Sequence, residues 1–228
     1  MKNVVLQLPR PYRDREDAGR RLAAALDAYR NRPDVEVFAI PRGGVPVAYE
    51  VAKRLSAPLD VVVVRKLGLP FQPELAMGAI ASGGVRVLNQ DVIDLGVPAR
   101  MIDAVANKEL IELERRERAY RGHSPALDPR DHTVIVVDDG LATGSSMRAA
   151  IASVRARGAA SIVVAVPVGA QSTCDAIARE ADLLVCPLRL EKFQAVGEWF
   201  EDFSQTTDEE VRQLLESANH LAEVTPLR

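Results

Sequence analysis

Two carboxylates, Asp138 and Asp139, stand side by side between an apolar run and a turn of small residues. The run is Val134-Ile135-Val136-Val137, the turn is Gly140-Leu141-Ala142-Thr143-Gly144, and Ser145-Ser146 follow. A short β-branched run of this kind suits a buried parallel strand. Gly140 and Gly144 let the backbone bend and come close to a ligand. Thr143, Ser145 and Ser146 bring hydroxyls to a helix start, where the first N–H groups lack an intrahelical partner, which makes an anion site.

Acids beside an anion cradle constrain the ligand. A carboxylate repels phosphate, so Asp138 and Asp139 need a different group, either sugar hydroxyls or a divalent cation. A molecule with a phosphate at one end and a hydroxylated, metal-bearing middle meets both demands, and 5-phosphoribosyl 1-pyrophosphate (PRPP) is such a molecule. The stretch from Val134 to Ser146 resembles the PRPP-binding motif of the type I phosphoribosyltransferases: four apolar residues, two acids, then a short loop ending in Thr-Gly-Ser-Ser. Gly140 departs from the family, which more often has an aliphatic residue there, but the change removes no functional group. The resemblance implies that Asp138 and Asp139 contact the ribose 2'- and 3'-hydroxyls and help stabilise positive charge on the ribose. It also implies that Ala142, Thr143, Gly144, Ser145 and Ser146 hold the 5'-phosphate. Charge-assisted hydrogen bonds contribute about 1.5–3 kcal/mol each, so three or four reach the roughly 8 kcal/mol of micromolar binding. The helix terminus adds only about 0.3–1 kcal/mol.

Cations come from two other places. In Pro41-Arg42-Gly43-Gly44, the glycines can present backbone N–H groups to an anion and Arg42 can fork two donors onto it. Taken alone the glycines fit a plain strand-to-helix turn; beside the acidic motif, the turn resembles the family's pyrophosphate loop. Arg65 and Lys66 fit either a solvated strand end or a flap closing over pyrophosphate, and the family has a mobile loop at this place. Glu74 in that loop is a candidate for a metal-water or substrate contact. The resemblance thus assigns catalysis to Asp138, Asp139, Lys66 and Arg42, and pyrophosphate to Arg42, Gly43, Gly44, Arg65 and Lys66. It implies magnesium arriving with PRPP and assigns no metal ligand directly.

The acceptor is less legible. Ala142 stands where hypoxanthine-guanine phosphoribosyltransferases have an aspartate and adenine phosphoribosyltransferases an alanine, which disfavours a 6-oxopurine mechanism. Residues 193–200 loosely resemble the base-binding region of purine phosphoribosyltransferases, making Phe193, Val196 and Trp199 candidate base contacts. Core packing or an oligomer contact explains the same aromatics.

These residues need elements to position them. Apolar spacing predicts a helix over 14–31 with Ala18, Leu22, Ala25, Leu26 and Tyr29 on one face, and long helices over 98–120 and 145–157. Strands are expected at 35–40, 59–64, 133–138, 161–168 and 183–186. Pro46 suits the first position of the helix after the 41–44 turn. Residues 65–73, with two prolines and a glycine, read as a loop, and 75–88 as a hairpin turning at Ser82-Gly83-Gly84. Ser172 to Asp175 reads as a capping box, and Thr207 caps a last helix with Val211, Leu214, Leu215 and Ala218 inward.

Strands alternating with helices predict an α/β fold, a parallel five-stranded sheet flanked by helices like that of the type I phosphoribosyltransferases, with a hairpin/helix insertion and a C-terminal hood segment. The expected organisation is one domain, with a core at about 35–187, an insertion at about 65–122 and a hood at about 188–228. The loops after Ile40, Val64 and Val137 all fall at the carboxyl edge of that sheet, where such folds bind ligands.

Bulk composition excludes other classes. With 47% hydrophobic and 27% charged residues, the chain has the balance of an ordinary globular protein. A net charge of -3 speaks against nucleic acid as a main partner. Cys174 and Cys186 suggest no disulfide framework, and His123, His132 and His220 are too scattered for a metal site. The N-terminus has no long apolar segment, so neither a signal peptide nor a membrane span is expected, and the expected location is cytoplasmic. The expected partners are PRPP and a small nitrogenous acceptor, with a homodimer left open. Catalysis is the leading reading. The alternative is a regulator that binds PRPP or a nucleotide without turnover, a use the same fold also serves. A receiver domain would need its acids after the first strand, where Pro41-Arg42-Gly43-Gly44 stands, and a P-loop would need a lysine that Gly140 to Ser146 lacks.

Overall fold

The computed structural model describes residues 11–224 except positions 95 and 123, without the side chains of residues 73, 74, 90, 91 and 220–224. Glu74, His123 and His220 therefore lie outside the described side chains. In chain order the elements are α1 (Arg15–Ala25), β1 (Val35–Ala39), α2 (Gly44–Leu55), β2 (Leu59–Val61), β3 (Val64–Leu69), β4 (Gln72–Ala81), β5 (Val85–Leu88), α3 (Gln90–Ile93), α4 (Ala99–Arg121) and β6 (Thr133–Val137). They continue with α5 (Ser145–Ala156), β7 (Ser161–Ala165), β8 (Val168–Ala170), α6 (Gln171–Ile177), β9 (Leu183–Val185), β10 (Leu188–Leu190) and α7 (Asp208–Val224). No helix among the described residues is long and apolar enough to cross a membrane.

The five expected core strands form one parallel sheet in the order β2-β1-β6-β7-β9. β1 and β6 at its centre are buried along their whole length, Glu36 and Thr133 included, as strands covered by helices on both faces must be. Alternation sorts their side chains. Val35, Val37, Ala39, Ile135 and Val137 pack with α1, α2, α4 and α7. Phe38, Ile40, Val134 and Val136 pack with α5 and α6.

From β1 the chain turns back to pair on one side with β2, then crosses to the other side as β6, so the strand order reverses between β1 and β6. In open parallel sheets the ligand crevice opens at such a reversal. Ala39 is in register with Val137, and the Ile40 amide donates to the Val137 carbonyl at 2.9 Å. The 41–44 turn and the acidic loop thus leave the sheet at the same height, side by side.

The segment expected as a loop over 65–73 is instead mostly strand. β3, β4 and β5 form a three-stranded antiparallel sheet, with β3 and β4 joined at Pro70-Phe71. That turn lacks the Asn-Gly or Asp-Gly signal that marks a tight hairpin, and Gly68 sits at a register shift, so the alternation is broken where it would be read. The second core strand correspondingly ends at Val61 rather than 64. The turn at Ser82-Gly83-Gly84 is where the sequence put it.

Ser82 fastens this flap sheet to the core. Its hydroxyl accepts from the Val63 amide at 2.8 Å, its own amide donates to the Val63 carbonyl at 2.9 Å, and its carbonyl accepts from Ser153 Oγ of α5 at 2.5 Å. All three residues are buried. Ser153→Ala strands the Ser82 carbonyl without a partner, and is expected to lower stability by about 1–3 kcal/mol, read as a fall in melting temperature of about 2–4 °C per kcal/mol.

Four further expectations are corrected. The strand over 161–168 splits at Pro167, which has no N–H to continue the ladder; beyond it β8 leaves the main sheet and pairs in parallel with β10. No capping box forms over 172–175: α6 begins at Gln171 without a side-chain cap, and the Thr173 hydroxyl donates to the Ala142 carbonyl at 2.7 Å instead. Ala25 is exposed, its expected inward place on α1 taken by Ala23, and Pro46 falls in the first turn of α2 rather than at its first position. The box at α7 does form. The Glu210 amide donates to Thr207 Oγ1 at 3.1 Å and the Thr207 amide donates back to Glu210 Oε2 at 2.6 Å.

Candidate active site

The loop after β6 is pinned before it reaches α5. Leu141 exchanges backbone bonds with Val168 and Ala170 of β8, each at 2.9 Å, and Thr173 holds the Ala142 carbonyl. Gly144 takes φ +77 at the N-cap of α5, where an added Cβ would lie 2.9 Å from Thr173, so both conformation and space call for glycine. Among the described residues no backbone carbonyl accepts from the amides of residues 143–147; the first to be used is that of Arg148, to Gly144 at 2.9 Å. Thr143, Ser145 and Ser146 are exposed, and the Thr143 and Ser145 hydroxyls lie 3.3 Å apart. A row of unused donors at the head of a 12-residue helix fits one phosphate. A cavity of about 230 Å3 lies over this loop and is bordered by Asp138, Asp139 and Val196.

The acid pair borders the same cavity. Asp138 Oδ1 accepts from the Asp139 amide at 2.8 Å. Burial pushes the Asp138 carboxyl well above its ordinary range, and the neighbouring Asp139 charge adds to the effect. Burial also raises Asp139, but Arg15 opposes the shift: its Nε donates to Asp139 Oδ2 at 2.9 Å. Across the rim stands the 41–44 turn, whose Pro41–Arg42 peptide is cis. A Cβ on Gly43 would overlap Asp139 Oδ2, and one on Gly44 would fall 3.0 Å from the Asp138 Cα. The glycine turn and the acids are therefore in contact, with glycine the one residue small enough to allow it.

The three candidate cations fare differently. Arg42 points along the rim towards α7, with Nη1 3.7 Å from Asp208, whose carboxylate also accepts from Tyr120 at 3.0 Å. An exposed pair this long contributes little, so a diphosphate can recruit Arg42 cheaply. Arg65 and Lys66 are separated by strand alternation. Arg65 forks onto Glu109 of α4 at 2.8 and 2.5 Å. Lys66 stands opposite Ala79, which packs on Ala149 of α5, and with Arg65 it also borders a cleft against Ala104, Lys108 and Glu109 of α4. A cleft of about 400 Å3 connects Ser145 and Arg148 with Ala79 and Val87 of that flap.

Of the candidate base contacts, Val196 alone lines the cavity over the loop. Phe193 and Trp199 pack with Tyr12, Val168 and Phe200 into a small core beneath the hood, and the Trp199 indole N–H is buried without an acceptor among the described residues. Val196 also accounts for Gly140: a Cβ there would meet its methyl groups at 2.5 and 2.7 Å. The volume that an aliphatic residue would fill in the loop is filled from the hood. Gly140→Ala is expected to cost about 1–3 kcal/mol by overpacking, and Val196→Ala in the same chain to recover most of it, as a double-mutant cycle in thermal denaturation would measure.

Sequence reasoning missed Arg15, Asp208 and Thr173. Each lies far along the chain from the group it touches, and each reads as an ordinary helix-start residue. Arg15 in particular sits in a charged run that an amphipathic helix would turn to solvent. No spacing rule could have found them.

The arrangement has known relatives. Residues 72–208 match the family model described as phosphoribosyl transferase domain. A Mycobacterium tuberculosis protein named "Putative phosphoribosyl transferase", recorded from strain H37Rv and again from strain CDC 1551 / Oshkosh, is 49% identical over 207 residues, which is 90% of this chain. The chain spans 46% of that relative's length. The crystal structure of TT1426 from Thermus thermophilus is 39% identical and superposes with a TM-score of 0.79 over 91% of this chain and 98% of that one.

Proposed function

This chain belongs to the phosphoribosyltransferase family, and on that premise we propose that it binds PRPP with magnesium and transfers the phosphoribosyl group to a nitrogenous acceptor. The 5'-phosphate takes the amides and hydroxyls of residues 142–146. The diphosphate takes the Gly43 amide, the Gly44 amide being held by the Ile40 carbonyl at 3.1 Å, with Arg42 leaving Asp208 for it and Lys66 closing from the flap; Arg65 could join only by giving up Glu109. Asp138 and Asp139 accept the ribose hydroxyls. As the bond from C1 to the diphosphate lengthens, positive charge grows on the ribose, and preorganised carboxylates favour that state over the ground state. The acceptor nitrogen then bonds to C1 and the diphosphate departs.

Among the described residues no three His, Cys, Asp or Glu side chains group as a metal site; in this reading the cation comes with the diphosphate. Magnesium so bound supplies neutralisation of the leaving charge. The acceptor faces the Val196 side of the cavity. The observation that carries this reading is the contact between the Gly43-Gly44 turn and the acid pair, which supports a diphosphate site directly beside a ribose site on one rim. The experiment is incubation with PRPP, magnesium and a panel of bases. Pyrophosphate release with one base is the expected result; PRPP binding without release from any base would favour the regulator.

A further inference from the structure

Arg15 opens α1, yet it reaches a group 124 residues away. Besides donating to Asp139 Oδ2, its guanidinium donates through Nη1 to the Ser204 carbonyl at 2.7 Å and lies 3.9 Å over the Phe203 ring. Its side chain is 12% exposed and that of Asp139 15%, so the pair is largely desolvated and screened little by salt. A Cβ on Gly43 would lie 3.2 Å from Arg15 Nε, which puts the arginine against the anion turn as well. We propose that Arg15 is a positioning residue for phosphoribosyl transfer, holding the Asp139 carboxylate against the Gly43-Gly44 turn in place to receive a ribose hydroxyl. This rests on the reading of the acid pair given above.

The surroundings fix the arginine rather than leave it adrift. Tyr12 and Phe200 pair as a parallel bridge; the Tyr12 amide donates to the Trp199 carbonyl at 2.7 Å, and the Glu201 and Asp202 amides donate to the Tyr12 and Arg13 carbonyls at 2.8 Å. Asp14 caps α1 by accepting from the Asp17 amide at 2.7 Å. The start of α1 is thereby tied to the hood, and Arg15 bridges the hood to the acid loop. A planar fork with two donors engaged holds its direction better than a lysine would.

Charge gives the arrangement a second consequence. Asp139 is faced by Asp138 on its own loop, by Arg15 from α1 and by the 41–44 turn that carries Arg42, while Asp202 and Glu210 feel Arg15 from the hood and α7. Burial favours the protonated acid, and Arg15 opposes it most. A protonated Asp139 loses acceptor capacity for a hydroxyl. Removing the guanidinium should therefore weaken PRPP binding most at low pH and least at high pH.

The test is calorimetric titration of the full chain with PRPP and magnesium chloride between pH 5.5 and 8.5, with melting curves showing that each variant is folded. Arg15→Gln is expected to bind about tenfold more weakly than wild type at pH 6, the loss of about one charge-assisted hydrogen bond, with the deficit shrinking towards pH 8.5. Arg15→Lys keeps the charge and should restore the wild-type pH profile. Arg15→Met takes the place of Arg15→Gln if the latter does not fold. Wild-type affinity at every pH, a deficit equal at every pH, or a lysine variant no better than glutamine would each overturn the proposal, the second marking a bracing role alone. Asp139→Asn separates the two readings. Weak binding there supports the ribose clamp whatever Arg15 does, and wild-type binding there sinks the clamp before Arg15 is in question.

Discussion

Replacing both carboxylates, Asp138→Asn with Asp139→Asn, should reduce pyrophosphate release by about 10^3-fold or more while the chain still folds. Removing one preorganised electrostatic contact to a transition state costs about 10^2–10^3 in rate, and here both acids proposed to face the growing ribose charge are lost. The fold survives because neither side chain holds the sheet: β1 and β6 are paired along their length by backbone bonds. Asp138→Asn alone should even stabilise the protein. Burial and the Asp139 charge raise the Asp138 carboxyl, so the folded chain holds a proton at pH values where the unfolded chain has lost it. The stability from that proton is full below the ordinary carboxylate pKa and is lost as pH rises through the raised one. Asparagine has no proton to lose and keeps an oxygen to accept the Asp139 amide. The variant should melt with the wild type near pH 4 and about 2–4 °C above it near pH 8, a gain of roughly 1 kcal/mol. Equal melting temperatures across that range would show that no strain is stored at the acid pair.

Gly43→Ala is the second substitution with a large expected effect. The residue sits at φ -61 and ψ -31, an ordinary helical conformation, so alanine costs the backbone nothing and would stabilise an exposed helix start. What forbids it is Asp139, whose Oδ2 occupies the space the new methyl group would need. The carboxylate must swing away, breaking its bond to Arg15, or the turn must retreat. Either way the distance between the two halves of the site changes, and misplacement of about 1 Å is enough for a loss near 10^2-fold. Steady-state pyrophosphate release should fall by about that factor, with little change in far-ultraviolet circular dichroism. A fully active Gly43→Ala chain would mean that the turn and the acids do not act together.

Much of this was legible because it is local. The four apolar residues before Asp138, the acid pair and the Thr-Gly-Ser-Ser start of α5 follow one another in a single stretch, and the strand order that brings Arg42 to them follows from the alternation of strands and helices. The same holds for the Thr207 cap. What was hidden depends on contacts between distant segments. β3 looked like a loop because its partner supplies the regularity that Gly68 and the prolines obscure. Arg65 and Lys66 looked like a pair until pairing turned them to opposite faces of the flap. Gly140 looked like a loosened turn, and only the position of Val196 shows that the space is filled. Arg15 gave no sign at all, being one of several charges at the head of a helix.

The account stands on one rim serving both ends of one ligand, and amide chemical shifts report that directly. Titrating isotope-labelled protein with PRPP and magnesium should move the amides of residues 143–147 and those of Gly43 and Gly44 together, with one binding constant. Ribose 5-phosphate should move the first group strongly and the second weakly, and pyrophosphate the reverse. If PRPP moves one group and leaves the other where it was, the two loops do not share a ligand and the proposed reaction has no site.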